Sequence, residues 1–137
     1  MDLSYIITPF FAWLVAGCMK FSLNTIKERR LAFNLIGYGG MPSNHSSIVS
    51  SAVAIIILKE GINTPILVVA LTVAFIVMLD ANSLRKQVGK HANTINKLSK
   101  ETSLPRLRER MGHSKLEILA GIFTGFFSAF IVYIFTA

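Results

Sequence analysis

The sequence predicts an all-α integral membrane bundle of about four transmembrane helices, with an amphipathic helix lying at the cytoplasmic membrane surface. Three observations predict it. Apolar residues make up 53% of the 137 residues and charged ones only 15%, where a soluble domain carries about a quarter. The apolar residues fall in blocks close to the roughly 20 residues that a helix needs to cross about 30 Å of hydrocarbon. Of the 14 Lys and Arg residues, 13 lie in two segments between those blocks. The blocks lack the in-out alternation of a barrel strand, and backbone in lipid must satisfy itself internally, so helices are expected. The length suits a single domain, residues 1–137.

The first span runs from Leu3 to Met19 and stops at Lys20. Its opening, Met1-Asp2-Leu3-Ser4-Tyr5, lacks the basic start of a secretory signal, so the span is expected to be retained. The second runs from about Ser43 to Leu58 and stops at Lys59-Glu60; the third runs from Ile62 to Leu79 and stops at Asp80. Gly61-Ile62-Asn63-Thr64-Pro65 reads as the tight turn between them. Both are short, and a buried helical hairpin is the alternative to two full crossings. Between Asp80 and Pro105, Leu84, Val88, Ile95 and Leu98 recur at helical spacing among Arg85, Lys86, Lys90 and Lys97, the pattern of an interfacial helix. The fourth span runs from Leu116 to Thr136. Gly121, Gly125 and Ala129 in the fourth span, and Ser46, Ser50 and Ala54 in the second, stand four residues apart. Small residues at that spacing are helix-packing faces.

Lys20, Lys27, Arg29 and Arg30 follow the first span, and nine further cations separate the third from the fourth; Lys59 alone falls on the other side. The positive-inside rule puts the two basic loops in the cytoplasm and both termini outside. The net charge of +7 then belongs to topology and to anionic headgroups rather than to nucleic acid. Cys18 is a lone cysteine in an apolar run and is expected to behave as a small apolar residue.

The second span opens with Gly39-Gly40-Met41-Pro42-Ser43-Asn44-His45-Ser46-Ser47. Glycines permit unusual backbone angles and close approach of a ligand. Pro42 suits a first turn, Ser43 can cap or bind an anion, and a helix N-terminus offers free N–H groups to phosphate. The alternative is a capped helix start with an incidental His45. The fourth span opens similarly, with Met111-Gly112-His113-Ser114-Lys115-Leu116-Glu117. Glu117, one turn beyond His113, can orient the ring; equally, Ser114 and Glu117 form a Ser-x-x-Glu capping box that needs no catalysis. Asp80, Arg85 and Lys86 close the third span and Lys20 the first, so the ends of four spans bring these groups to one membrane edge. Ionisable groups are costly there.

Such a set suits phosphoryl transfer. Cations and backbone N–H groups hold the oxygens, one histidine attacks phosphorus, and the other protonates the leaving alcohol. No cluster has metal-ligand spacing, and no Walker-type loop is present, so neither a metal, another cofactor nor a nucleotide is expected.

Together, Gly39 to Ser46, Asp80-Ala81 with Leu84-Arg85, and Gly112-His113 with Glu117 resemble the divergent bacterial branch of the type-2 phosphatidic acid phosphatase superfamily, which also holds the vanadium haloperoxidases. The resemblance covers nearly the whole chain in motif order. It implies that Lys20 binds phosphate, with Lys27-Glu28 standing where the family has Arg-Pro. It implies that Pro42-Ser43-Asn44-His45 supplies Ser43 as phosphate ligand and His45 as general acid, with Gly40 and Asn44 beside the phosphate; Asn44 replaces the family's Gly. His113 becomes the nucleophile, and Glu117 replaces the usual Asp as its partner. Leu107 occupies the expected third-motif Arg position, flanked by Arg106 and Arg108, so Arg85 is expected to supply the missing cation. Asp80 and Lys86 are expected in supporting positions.

The function implied is hydrolysis of a lipid phosphate monoester through a phosphohistidine, at the cytoplasmic edge of a bacterial inner membrane. Phosphatidylglycerophosphate, made on that face, is the favoured substrate. The alternatives are a polyprenyl diphosphate phosphatase or a non-catalytic membrane protein. Haloperoxidase chemistry is set aside, because so short a chain has little room for a closed vanadate pocket. Four short spans bury little surface, which leaves room for a homo-oligomer.

Overall fold

The structure is a computed structural model that describes residues 2–31, 40–99 and 104–136. Gly39 of the second motif and Lys100 of the basic loop lie outside the described residues. Five helices follow in order: α1 (Ser4–Glu28), α2 (Asn44–Glu60), α3 (Pro65–Asn82), α4 (Leu84–Leu98) and α5 (Lys115–Thr136). Among the described residues there is no strand.

α1 departs from the expected end at Lys20. It continues for two more turns to Glu28 and closes on Arg29 in the left-handed region, φ 52°. Lysine ends an apolar run, but lysine and glutamate are good helix formers, so the charge bounds the lipid contact and not the helix. Lys20 therefore sits in the body of α1, half-buried. α2 starts one residue later than expected. Ser43 is its N-cap, accepting from the Ser46 N–H at 3.4 Å, and Pro42 precedes the helix rather than opening it. Gly61, with φ 81°, ends α2, and Pro65 sits at the first turn of α3, where its missing N–H costs nothing.

α3 and α4 meet at Ser83. Three helical stretches are long and apolar enough to cross a membrane: Ser4–Glu28, Pro65–Leu98 and Lys115–Thr136. α2, with 17 residues, is shorter, about 26 Å at 1.5 Å per residue. At one end, Lys59 Nζ pairs with Asp2 Oδ2 at 2.7 Å, and the Tyr5 hydroxyl donates to Glu60. At the other end, His45 lies within electrostatic reach of Lys20.

α2 is enclosed by α1, α3 and α5. Its seam with α5 is the most extensive helix contact in the fold, as the spacing of small residues predicts. A Cβ added to Gly121 would stand 2.6 Å from the Ser43 carbonyl oxygen, and one on Gly125 would stand 2.5 Å from that of Ser47. Ala12, Ala16 and Ala129 are fully buried, whereas Phe10 is 70% exposed and Phe75 62%. Small residues inside and large apolar ones outside are what a lipid environment selects, since lipid supplies the apolar contact that a soluble core would.

α4 is the amphipathic helix that the sequence predicts. Leu84, Val88, Ile95 and Leu98 are exposed along it. Its opposite face carries the segment 104–111. Asn96 Nδ2 donates to the Leu107 carbonyl while Asn96 Oδ1 accepts from the Leu107 N–H, both at 2.8 Å. Asn93 and Asn96 each donate to the Glu109 carboxylate, at 2.7 and 2.8 Å. Gly89 permits this contact, because a Cβ there would stand 2.4 Å from the Glu109 carbonyl oxygen. Residues 104–111 thus form a strap laid on α4, and the strap runs directly into Gly112-His113.

Candidate functional site

Two histidine-bearing helix starts meet at one end of the bundle, and main-chain hydrogen bonds hold them there. The Ser43 N–H donates to the Glu117 carbonyl at 3.0 Å, which ties the start of α2 to the first turn of α5. The His113 N–H donates to the Ala81 carbonyl at 2.9 Å, beside the α3–α4 junction. Gly112, with φ 89°, turns the chain into this position; a Cβ there would meet Lys86 Cγ at 2.8 Å. The rings of His45 and His113 come to lie 6.4 Å apart between centroids, tilted by 55°.

The rings have different partners. Glu117 Oε2 lies 3.1 Å from His113 Nδ1. The same oxygen accepts from the Ser114 N–H at 2.9 Å, and Ser114 Oγ accepts from the Glu117 N–H at 3.2 Å. The capping box and the histidine partner, alternatives in the sequence, are one arrangement. With its carboxylate on Nδ1, His113 holds that proton and keeps its lone pair on Nε2. Burial pushes the His113 pKa below the ordinary histidine value, against the upward pull of the hydrogen bond and charge of Glu117; Lys20 and Arg85 push it down further. The balance favours the neutral ring.

His45 faces a cation instead. Arg85 Nη2 lies 3.1 Å from His45 Nε2. Lys20 also acts electrostatically on both rings. Two cations, two histidines and one carboxylate thus converge from α1, α2, α4 and the start of α5.

The remaining predicted residues divide. Gly40, with φ 143°, lies before α2, opposite Asn24. Asn44 opens α2, and its Oδ1 is buried with no hydrogen-bond partner among the described residues. Ser43 is fully buried, and its Oγ contacts the N–H and the hydroxyl of Ser46, which makes it the cap of α2. Asp80 is exposed and makes no hydrogen bond or ion pair among the described residues. Lys86 is also exposed; it donates to Asn82 Oδ1 at 2.7 Å and packs its stem on Gly112. Arg106, beside the expected third-motif position, pairs with Glu109 at 3.5 Å rather than with a histidine. Sequence reasoning missed the strap on α4; the one available signal was Gly89, a weak helix former inside an otherwise helical pattern.

A cavity of about 610 Å³ lies elsewhere, between α4 and the strap, lined by Lys86, Lys90, Asn93, Glu109 and Arg110. It contains neither histidine. Among the described residues, no group of three or more His, Cys, Asp or Glu side chains is placed to share a metal ion.

A family model described as "Divergent PAP2 family" matches residues 1–128. A relative described as the uncharacterized membrane protein YuiD of Bacillus subtilis (strain 168) is 28% identical, over 88% of this chain and 87% of its own length. No solved structure matches. With the motifs in order along the chain and a family match over almost all of it, this helical membrane protein belongs to the Divergent PAP2 family.

Proposed function

We propose that the chain is a metal-independent phosphatase that hydrolyses a lipid phosphate monoester, with phosphatidylglycerophosphate the favoured substrate. The observation that carries this is the pair of rings 6.4 Å apart, one oriented by a carboxylate and the other contacted by a cation. His113 Nε2 attacks phosphorus while the bond to the lipid oxygen breaks. The bonding pair leaves with that oxygen, which takes a proton from His45. Water then cleaves the phosphohistidine, with His45 as base. Lys20 and Arg85 neutralise the phosphate oxygens, and the first N–H groups of α2, beside Gly40 and Asn44, point at them. Ser43 acts by shaping that helix start, while Asp80 and Lys86 stay outside the reacting set.

The concentration of cations on this end supports a cytoplasmic orientation at a bacterial inner membrane, where phosphatidylglycerophosphate is made. The test is release of inorganic phosphate from that lipid by the purified protein in detergent, without added metal and beside His113→Ala. Turnover in the wild type, near-total loss in the variant and inhibition by vanadate are expected. Undiminished turnover in His113→Ala sinks the scheme.

A further inference from the structure

We propose that Arg85 is a gate on His45, which opens for a phosphate monoester and stays shut for the diester lipids of the surrounding bilayer. The inference rests on the phosphatase reading above and deepens it to a choice of substrate class. An arginine has only donors, so at 3.1 Å its Nη2 requires the lone pair of His45 Nε2. The proton of the neutral ring is then on Nδ1, which is buried and without a hydrogen-bond partner among the described residues. In this state His45 cannot act as an acid toward the site: the nitrogen facing Arg85 has no proton, and the nitrogen with one is enclosed. The groups facing the ring are Arg85 from α4, His113 from the strap's end and Lys20 from α1. Arg85 and Lys20 are cations, His113 turns its Nδ1 to Glu117, and no group accepts from His45 Nδ1 among the described residues.

A bound phosphate changes this. On the His45 ring the guanidinium makes one hydrogen bond to a neutral acceptor, whereas on an anion its fork makes two parallel bonds to oxygens of opposite charge, the pairing it prefers. A monoester dianion offers three free oxygens, enough for Lys20, the α2 N–H groups and Arg85 together. Drawn onto the phosphate, Arg85 vacates Nε2, which takes a proton from water and now faces the leaving oxygen. During transfer that proton passes to the departing alkoxide, and His45 returns to the neutral form that Arg85 can hold again. A phosphodiester has one charge and two free oxygens. Lys20 and the helix start occupy both, Arg85 stays on His45, and the acid is never made. An enzyme immersed in diester lipid gains selectivity from this without excluding those lipids from its surface.

The test is NMR of the nitrogens of isotope-labelled histidine in the full chain in detergent. The chain has three histidines, and the His45 signals are those lost in His45→Gln. Without ligand, His45 Nε2 is expected to be unprotonated. Saturating inorganic phosphate should protonate it, and phosphatidylglycerol, a diester, should leave it unchanged. In Arg85→Ala the response to phosphate should vanish, and kcat/KM for the monoester lipid should fall about tenfold or more. A protonated Nε2 in the free protein, no response to saturating phosphate, or an equal response to phosphatidylglycerol would each overturn the gate. The spectra do not depend on turnover. A protein that switches but releases no phosphate loses the phosphatase reading and keeps the gate; one that hydrolyses without switching does the reverse.

Discussion

The starts of α2 and α5 are built on the same plan and end with opposite chemistry. Each has glycine, a serine cap and a histidine within a few residues. At α5 the histidine precedes the helix, and the capping box supplies it with a carboxylate, so one oxygen of Glu117 serves the cap and the ring together. At α2 the histidine lies inside the first turn, the cap has no acidic partner, and a guanidinium approaches instead. An acceptor on Nδ1 leaves a lone pair facing the site; a donor on Nε2 takes one away. The position of a histidine relative to its cap thus separates a ring paired with a carboxylate from a ring paired with a guanidinium, although the local sequences are alike.

Four substitutions break or sharpen that contrast. His113→Ala removes the attacking nitrogen and should lower kcat by about three orders of magnitude or more, by analogy with loss of other covalent nucleophiles, measured by phosphate release. His45→Ala removes the acid and should cost about 10²–10⁴-fold; a substrate with a much better leaving group, such as an aryl phosphate, should recover most of that loss in His45→Ala and none in His113→Ala. Glu117→Gln keeps the shape but removes the charge that pulls the His113 pKa up. Its activity should fall about tenfold or more, and the acidic limb of its pH profile should move lower still, since the remaining influences of burial, Lys20 and Arg85 all depress that pKa. Ser114→Ala, the smallest change, should cost about 1 kcal/mol of stability through loss of the cap and leave kcat within about twofold, read by thermal denaturation beside activity. A large activity loss in Ser114→Ala would mean that the cap, and not only the carboxylate, sets the ring.

Much of this was legible in the sequence because it is local. The apolar blocks gave the helices, the small-residue spacing gave the α2–α5 seam, and Ser114 with Glu117 gave the box. The end of α1 was misjudged because Lys20 ends hydrophobicity but not helicity, and it therefore projects from mid-helix. The contact of Arg85 with His45 turns on which way the chain faces after Ser83, which periodicity alone leaves open. The fastening of residues 104–111 by Asn93 and Asn96 joins groups 11 to 16 positions apart. No short-range pattern marks such pairs, because side-chain amides serve equally well in solvent.

The backbone contact at Gly89 has a consequence for how tightly the chemistry is set. At Gly89 the strap rests on bare main chain, and the His113 ring hangs four residues beyond that point of contact. One extra carbon on that helix would act as a shim under the strap, moving a nitrogen that residue 89 never touches. The position of the His113 ring is thus set from behind, by the thickness of a hydrogen atom on a turn of helix that the ring does not touch.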